Sequence, residues 1–292
     1  MLVATQGLVL HTTPYAESSV VAKVFTRQLG VRSYIIKGVR GRTGRVKQNL
    51  LQPLSSLDMV VYDNHRKDIN YIKELSPRHP QQPSEPVSNA LRFFMTEVLY
   101  KALREEEPMQ ELWDYVESLE LGERSSEFPI FFMLNVAHYR GIKPLDNYSR
   151  QSRYFCLEEG RYVAVPNETT LSESLSETLH RYLEETSEGT RRRHGEDTEE
   201  TRRGHGEDTE ETRRGHGEDT EWTRRKHGED TEETRRGHGE DTEGTRSGYG
   251  GPLATSREER TYLVNALVAY FQMHLSGFHN FTSHEILHSV LR

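Results

Sequence analysis

Residues 19–36 read Ser19-Val-Val-Ala-Lys-Val-Phe-Thr-Arg-Gln-Leu-Gly-Val-Arg-Ser-Tyr-Ile-Ile36. Two runs rich in β-branched and aromatic residues, Ser19–Phe25 and Val31–Ile36, flank a turn at Gly30, which is the pattern of paired strands. Working outward, Leu2–Leu10 is a similar run, set off by the turn residues Pro14-Tyr15-Ala16-Glu17. Leu57–Tyr62 follows, bounded by Asp63-Asn64-His65, and Asp68–Leu75 closes the series. Five short strands at this spacing predict a small antiparallel barrel, and the spacing alone suits an OB-fold and an SH3-like barrel equally.

Prolines at 77, 80, 83 and 86 break the strand pattern. Helical periodicity then takes over. Val87–Arg104 carries Ala90, Leu91, Phe94, Val98 and Leu99 on one stripe, and Met109–Leu121 carries Leu112, Trp113, Val116 and Leu119. Phe128–Tyr139 is apolar on most sides, as a central buried helix must be. Tyr154–Leu157 and Tyr162–Val165, around Glu158-Glu159-Gly160, predict a small hairpin. Leu171–Leu183, Arg257–Leu275 and Thr282–Leu291 complete the helices, the last with Ser283 as its cap. The expected class is α+β. A barrel domain spans 1–78, a linker 79–86, the first part of a helical domain 87–183, an insert 184–250 and the last helices 251–292.

The insert is built from an eleven-residue unit, His-Gly-Glu-Asp-Thr-Glu-Glu-Thr-Arg-Arg-Gly, beginning at His194, His205, His216, His227 and His238. The five units hold 18 acidic and 10 basic residues, a difference equal to the net charge of −8 of the whole chain. The remainder is neutral. Trp222 is the only hydrophobic residue in the units, so they cannot offset ordering entropy by burial, and disorder is the expectation. Solenoid repeats need an apolar position in every copy, and these have none. The reading is a tandem expansion tolerated in a surface loop, with metal capture by its histidines as the functional alternative.

Composition excludes several classes. One cysteine, Cys156, allows neither an intramolecular disulfide scaffold nor a CxxC zinc site. The N-terminal segment has no basic and apolar signal-peptide pattern, and the longest apolar-rich stretch, Leu263–Phe271, is half a membrane span. A soluble, cytoplasmic protein is expected. No P-loop, Gly-x-Ser-x-Gly or Gly-x-Gly-x-x-Gly occurs. His284-Glu285-Ile286-Leu287-His288 matches HExxH and raises a metal-dependent hydrolase as an alternative. However, only four residues follow it, so a third ligand would have to come from upstream, from His274 or His279. Packing of Ile286 and Leu287 against a helical core is the simpler reading. Neither a catalytic residue nor a cofactor is expected.

Charge is segregated along the chain. Residues 1–80 carry 12 basic and 5 acidic side chains, whereas residues 81–193 carry 13 and 20. Arg27, Arg32, Lys37, Arg40, Arg42, Arg45 and Lys47 follow one another with no acidic residue between them. A basic face of this kind suits a polyanion, and a basic barrel that binds RNA is a further alternative because OB-folds serve both nucleic acids. Within it, Lys37-Gly-Val-Arg-Gly-Arg-Thr-Gly-Arg-Val-Lys47 combines cations with three glycines, which let backbone N–H groups approach phosphate. Tyr34 and Phe25 in the flanking strands are candidate base-stacking rings.

Taken together, Gly7-Leu-Val-Leu10, Tyr15-Ala-Glu17, Phe25-Thr26, Gly30, Lys37-Gly38-Val-Arg40 and Gln52-Pro53-Leu54 resemble the bacterial recombination mediator family RecO. So do Ile69–Leu75, Tyr139-Arg-Gly-Ile-Lys143-Pro and the closing Ser283-x-Glu-x-Leu. The resemblance covers nearly the whole chain outside the insert and rests on order and spacing. It implies an N-terminal OB-fold and a C-terminal helical domain. It also implies binding of single- and double-stranded DNA and annealing of complementary strands. The implied partners are RecR, single-stranded DNA-binding protein and, indirectly, RecA. The family's DNA-contacting role carries onto Lys37, Arg40, Arg42, Arg45 and Lys47, with Arg27 and Arg32 as lesser candidates. Some family members hold zinc with four cysteines near the position of Cys156; with one cysteine, no zinc is expected here.

Overall fold

The computed structural model describes residues 1–39, 49–64, 66–79, 85–103, 107–119, 126–187 and 255–290. The repeat insert expected over 184–250 lies outside these residues from 188 onward.

Five strands, β1 (Leu2–Tyr15), β2 (Ser19–Thr26), β3 (Gly30–Ile36), β4 (Ser56–Tyr62) and β5 (Ile69–Pro77), close a barrel in the order β1-β2-β3-β5-β4. The 14-residue β1 makes closure possible because its first half pairs with β4 and its second half with β2. A register shift between Val9 and His11 marks a bulge that bends the strand from one partner to the other. Sequence reading ended this strand at Leu10. The five residues beyond belong to it because the bulge restores pairing with β2 as far as Tyr15↔Ser19. The antiparallel β2–β3 and β4–β5 seams, and a parallel β3–β5 seam of three residue pairs, complete the wall. The barrel is therefore of the OB type, with one parallel pair among antiparallel ones.

Alternating side chains fill the interior: Val9, Val20, Ala22, Val24, Tyr34, Ile36, Leu57, Met59 and Val61 are buried together, with Val39 and Leu51 from the flanking segments. The lumen is so tight that a Cβ at Gly7 would lie 2.5 Å from Val24 and 2.6 Å from Met59, so hydrogen alone fits there.

Six helices follow. They are α1 (Pro86–Ala102), α2 (Gln110–Glu117), α3 (Phe128–Tyr139), α4 over residues 173–187, α5 (Arg257–His274) and α6 (Ser283–Val290). A hairpin of β6 (Tyr154–Cys156) and β7 (Arg161–Val163) stands between α3 and α4, turned by Gly160 at φ 66°. Ten consecutive residues of α3, Phe128–Ala137, are buried, so this helix is the core around which α1 and α5 pack. A capping box starts α5. The Ser256 hydroxyl accepts from the Glu259 N–H at 3.2 Å, and the Glu259 carboxylate accepts from the Ser256 N–H at 2.8 Å.

Helix α6 is capped differently from the sequence expectation. The buried Ser283 hydroxyl makes no hydrogen bond. The carboxylate of Glu97 on α1 instead accepts from the N–H groups of Thr282 and Ser283, at 3.2 and 2.7 Å. A charged acceptor at the positive end of the helix serves the same purpose as a capping hydroxyl and also joins α6 to α1.

Candidate nucleic-acid interface

Strand parity separates the basic-segment residues. On β3, Arg32, Tyr34 and Ile36 point into the barrel and Ser33 and Ile35 to its outer wall, with Lys37 just beyond the strand. Tyr34 is fully buried, so its ring offers no face to a base, which corrects the stacking role expected of it. Burial, reinforced by the negative charge of Asp63 and opposed by Arg32, raises its phenol well above the ordinary range. Arg32 is 5% exposed and lies 3.9 Å from Asp63 in a buried ion pair, so it too is corrected from phosphate contact to barrel interior. Phe25 is likewise fully buried. Runs of β-branched and aromatic residues revealed the strands, but not which parity faces inward.

Arg27 is at the surface and already engaged: Nε and Nη2 donate to the two carboxylate oxygens of Asp114 on α2, at 2.7 and 2.9 Å. That hydrogen bond, with the charge of Asp114 behind it, raises the guanidinium pKa further. Lys37 is exposed, and its ammonium stands 5.7 Å from the centre of the Tyr71 ring, a cation–π arrangement. Arg40, Arg42, Arg45 and Lys47 lie outside the described residues.

Sequence reading missed how α2 grips the barrel. The buried Trp113 indole donates to the carbonyl of Phe25 at 3.1 Å. One turn on, Glu117 accepts from Ser56 Oγ at 2.8 Å and Arg78 Nε at 3.0 Å, with His79 Nε2 at 2.8 Å. At the other end of the contact, a Cβ on Gly30 would lie 2.6 Å from the backbone oxygen of Glu107. The amphipathic pattern announced α2 as a helix; the signal for its partner was the polar set Asp114 and Glu117, one turn apart near the buried Trp113.

The HExxH segment falls on α6. His284 stacks on Phe281 with ring centres 5.4 Å apart, Glu285 is exposed and Leu287 is buried. Among the described residues no group of three or more His, Cys, Asp or Glu is placed to hold a metal ion. Cys156 is fully buried beneath the β6–β7 turn. Burial pushes its thiol up. Hydrogen bonds from the Thr169 hydroxyl, the Glu159 N–H, the Asn167 amide and the Glu158 N–H outweigh that and bring it below its ordinary value. Among the described residues no helix is long and apolar enough to cross a membrane.

A closed barrel in this strand order, joined to a helical body, defines a protein built on the oligonucleotide/oligosaccharide-binding fold. Residues 1–81 match the family described as Recombination protein O N terminal. A DNA repair protein RecO from Phocaeicola vulgatus is 31% identical over 172 residues, which cover 56% of this chain and 71% of the relative. Its counterpart in Christiangramia forsetii is 30% identical over 153 residues, 49% of this chain and 63% of the relative. That of Flavobacterium johnsoniae is 25% identical over 191 residues, 63% and 80%. The chain belongs to the RecO family of DNA repair proteins.

Proposed function

We propose that this chain acts in DNA repair and homologous recombination as a non-enzymatic mediator that binds single- and double-stranded DNA and anneals complementary strands. The observation that carries the reading is the union of an OB barrel with a net excess of seven positive charges in residues 1–80. Lys37 lies on its exposed rim, where the sequence continues into Arg40, Arg42, Arg45 and Lys47. These five residues are the proposed phosphate contacts. Arg27 contributes less because Asp114 already neutralises it.

Annealing is opposed by repulsion between two phosphate backbones. A cationic surface that displaces condensed counterions and holds both strands lowers that barrier without covalent chemistry. The acidic helical half, with 20 acidic and 13 basic residues over 81–193, is a poor DNA surface and suits protein contacts. RecR and single-stranded DNA-binding protein are the proposed direct partners, RecA an indirect one, and the cytoplasmic nucleoid the proposed location.

The test is a salt titration of binding to a single-stranded oligonucleotide. Each neutralised phosphate contributes about 0.7 to the slope of log affinity against log salt. Replacing Arg40, Arg42 and Arg45 together by Ala is expected to flatten that slope by roughly 2, three contacts' worth; an unchanged slope overturns the assignment.

A further inference from the structure

Strand registers align four apolar side chains, three of them exposed, in a row across the barrel wall. Leu2 on β1 pairs with Tyr62 on β4, Tyr62 pairs with Tyr71 on β5, and Tyr71 pairs with Ile35 on β3. Directly paired residues project to the same face about 5 Å apart. Leu2, Tyr62 and Tyr71 are 49%, 51% and 44% exposed, and Ile35 is half-buried at the end of the row. The row borders an open depression of about 700 Å³ that also takes in Lys37, Lys73 and Glu74.

We propose that Tyr62 and Tyr71 form a stacking platform for unpaired bases of a single-stranded polynucleotide. The proposal rests on the nucleic-acid reading of the barrel and adds to it the aromatic component that the buried Tyr34 cannot supply. Two rings at directly paired positions on rigid strands offer faces to neighbouring bases, and every base presents a π face, so recognition is independent of sequence. Charge selects a polynucleotide over an apolar protein surface as occupant. The Lys37 ammonium sits over Tyr71, where a backbone phosphate beside a stacked base would meet it. Lys73 supplies less, because Glu74 is 3.2 Å from its ammonium. The row thus gives the barrel two separable modes: cations that hold any phosphate backbone, and tyrosines that hold only bases released from pairing.

The full-length chain is titrated with a labelled single strand, the matching duplex and an abasic single strand of the same length. The double variant Tyr62→Thr/Tyr71→Thr keeps strand-favouring side chains, and Tyr62→Phe/Tyr71→Phe keeps the rings. The expected result is a loss of about tenfold or more in affinity of the Thr variant for the normal single strand. Its salt slope, duplex affinity and abasic affinity are expected to match wild type, and the Phe variant to bind like wild type. Equal losses on all three probes, or no loss on the normal strand, would overturn the platform while leaving DNA binding by the cations intact. The second of those is what a protein-docking row would give. A wild-type chain that binds none of the probes defeats the underlying reading itself.

Discussion

The guanidinium of Arg27 at the end of β2 grips both carboxylate oxygens of Asp114 on α2, at 2.7 and 2.9 Å, across 87 residues of chain. The pair is bidentate, but its side chains are 38% and 47% exposed, so water screens it. A double-mutant cycle between Arg27→Ala and Asp114→Ala is expected to give a coupling of at most about 1 kcal/mol in urea unfolding. Because Asp114 cancels the charge, Arg27→Ala should change the salt slope of DNA binding by less than the ~0.7 of a full phosphate contact. Asp114→Asn, which removes the competing anion, should tighten binding.

Trp113 should matter far more. Its ring is 2% exposed at the seam between α2 and the barrel, and its N–H serves the Phe25 carbonyl. Trp113→Ala is expected to cost about 3–5 kcal/mol through the cavity it leaves. Trp113→Phe, which keeps most of the volume and loses the hydrogen bond, should cost roughly 1–3 kcal/mol. Thermal unfolding measures both. The chain has two tryptophans, and the other, Trp222, lies in the repeats, so the emission lost in Trp113→Phe is that of the seam.

Inside the barrel, charge and hydroxyl predict opposite outcomes. Arg32 and Asp63 are both buried and 3.9 Å apart. Removing either partner takes a buried counter-charge from the other, so Arg32→Met or Asp63→Leu alone should destabilise by about 3–5 kcal/mol, and the double change by much less. The Tyr34 hydroxyl is buried with no hydrogen-bond partner. Tyr34→Phe is therefore expected to be neutral or to stabilise by about 1 kcal/mol. A large loss in that variant would contradict the packing described for the lumen.

Alkaline pH should loosen the fold. Burial raises the phenols of Tyr34 and Tyr182 and pushes Tyr270 up to about 12. A phenol whose folded value exceeds its unfolded value of about 10 favours folding while protonated. That stability is complete below about pH 10 and is lost as pH rises from there through 12. Cys156, lowered in the fold, works in the opposite direction, but it is one group against three. The urea midpoint should thus fall above pH 10, and Tyr270→Phe should show a shallower fall even though it loses a 2.7 Å hydrogen bond to the Ile142 carbonyl.

The sequence made the barrel legible because its five runs differ in composition from the turns between them, and made α3 legible because Phe128–Ala137 leaves no polar face. Side-chain direction was harder to read. β3 offers Arg32 and Tyr34 at one parity and Ser33 and Ile35 at the other, and nothing local says that the arginine and tyrosine go inward. The Tyr62–Tyr71 pair depends on a register set by a bulge at Val60/Val61 and by barrel closure, both long-range features. The cap of α6 was assigned to Ser283 because serine is the local choice; Glu97, 186 residues away, takes the role instead.

One further bond explains how this family scaffold carries its histidine-punctuated expansion. The Tyr182 hydroxyl lies 2.8 Å from Thr255 Oγ1, and the Thr255 hydroxyl donates to Glu127 at 3.0 Å. The places where the main chain leaves and re-enters the helical body are thereby stapled side by side. None of the three side chains that form this staple belongs to a repeat unit, so a change in the number of units alters none of the groups that make it.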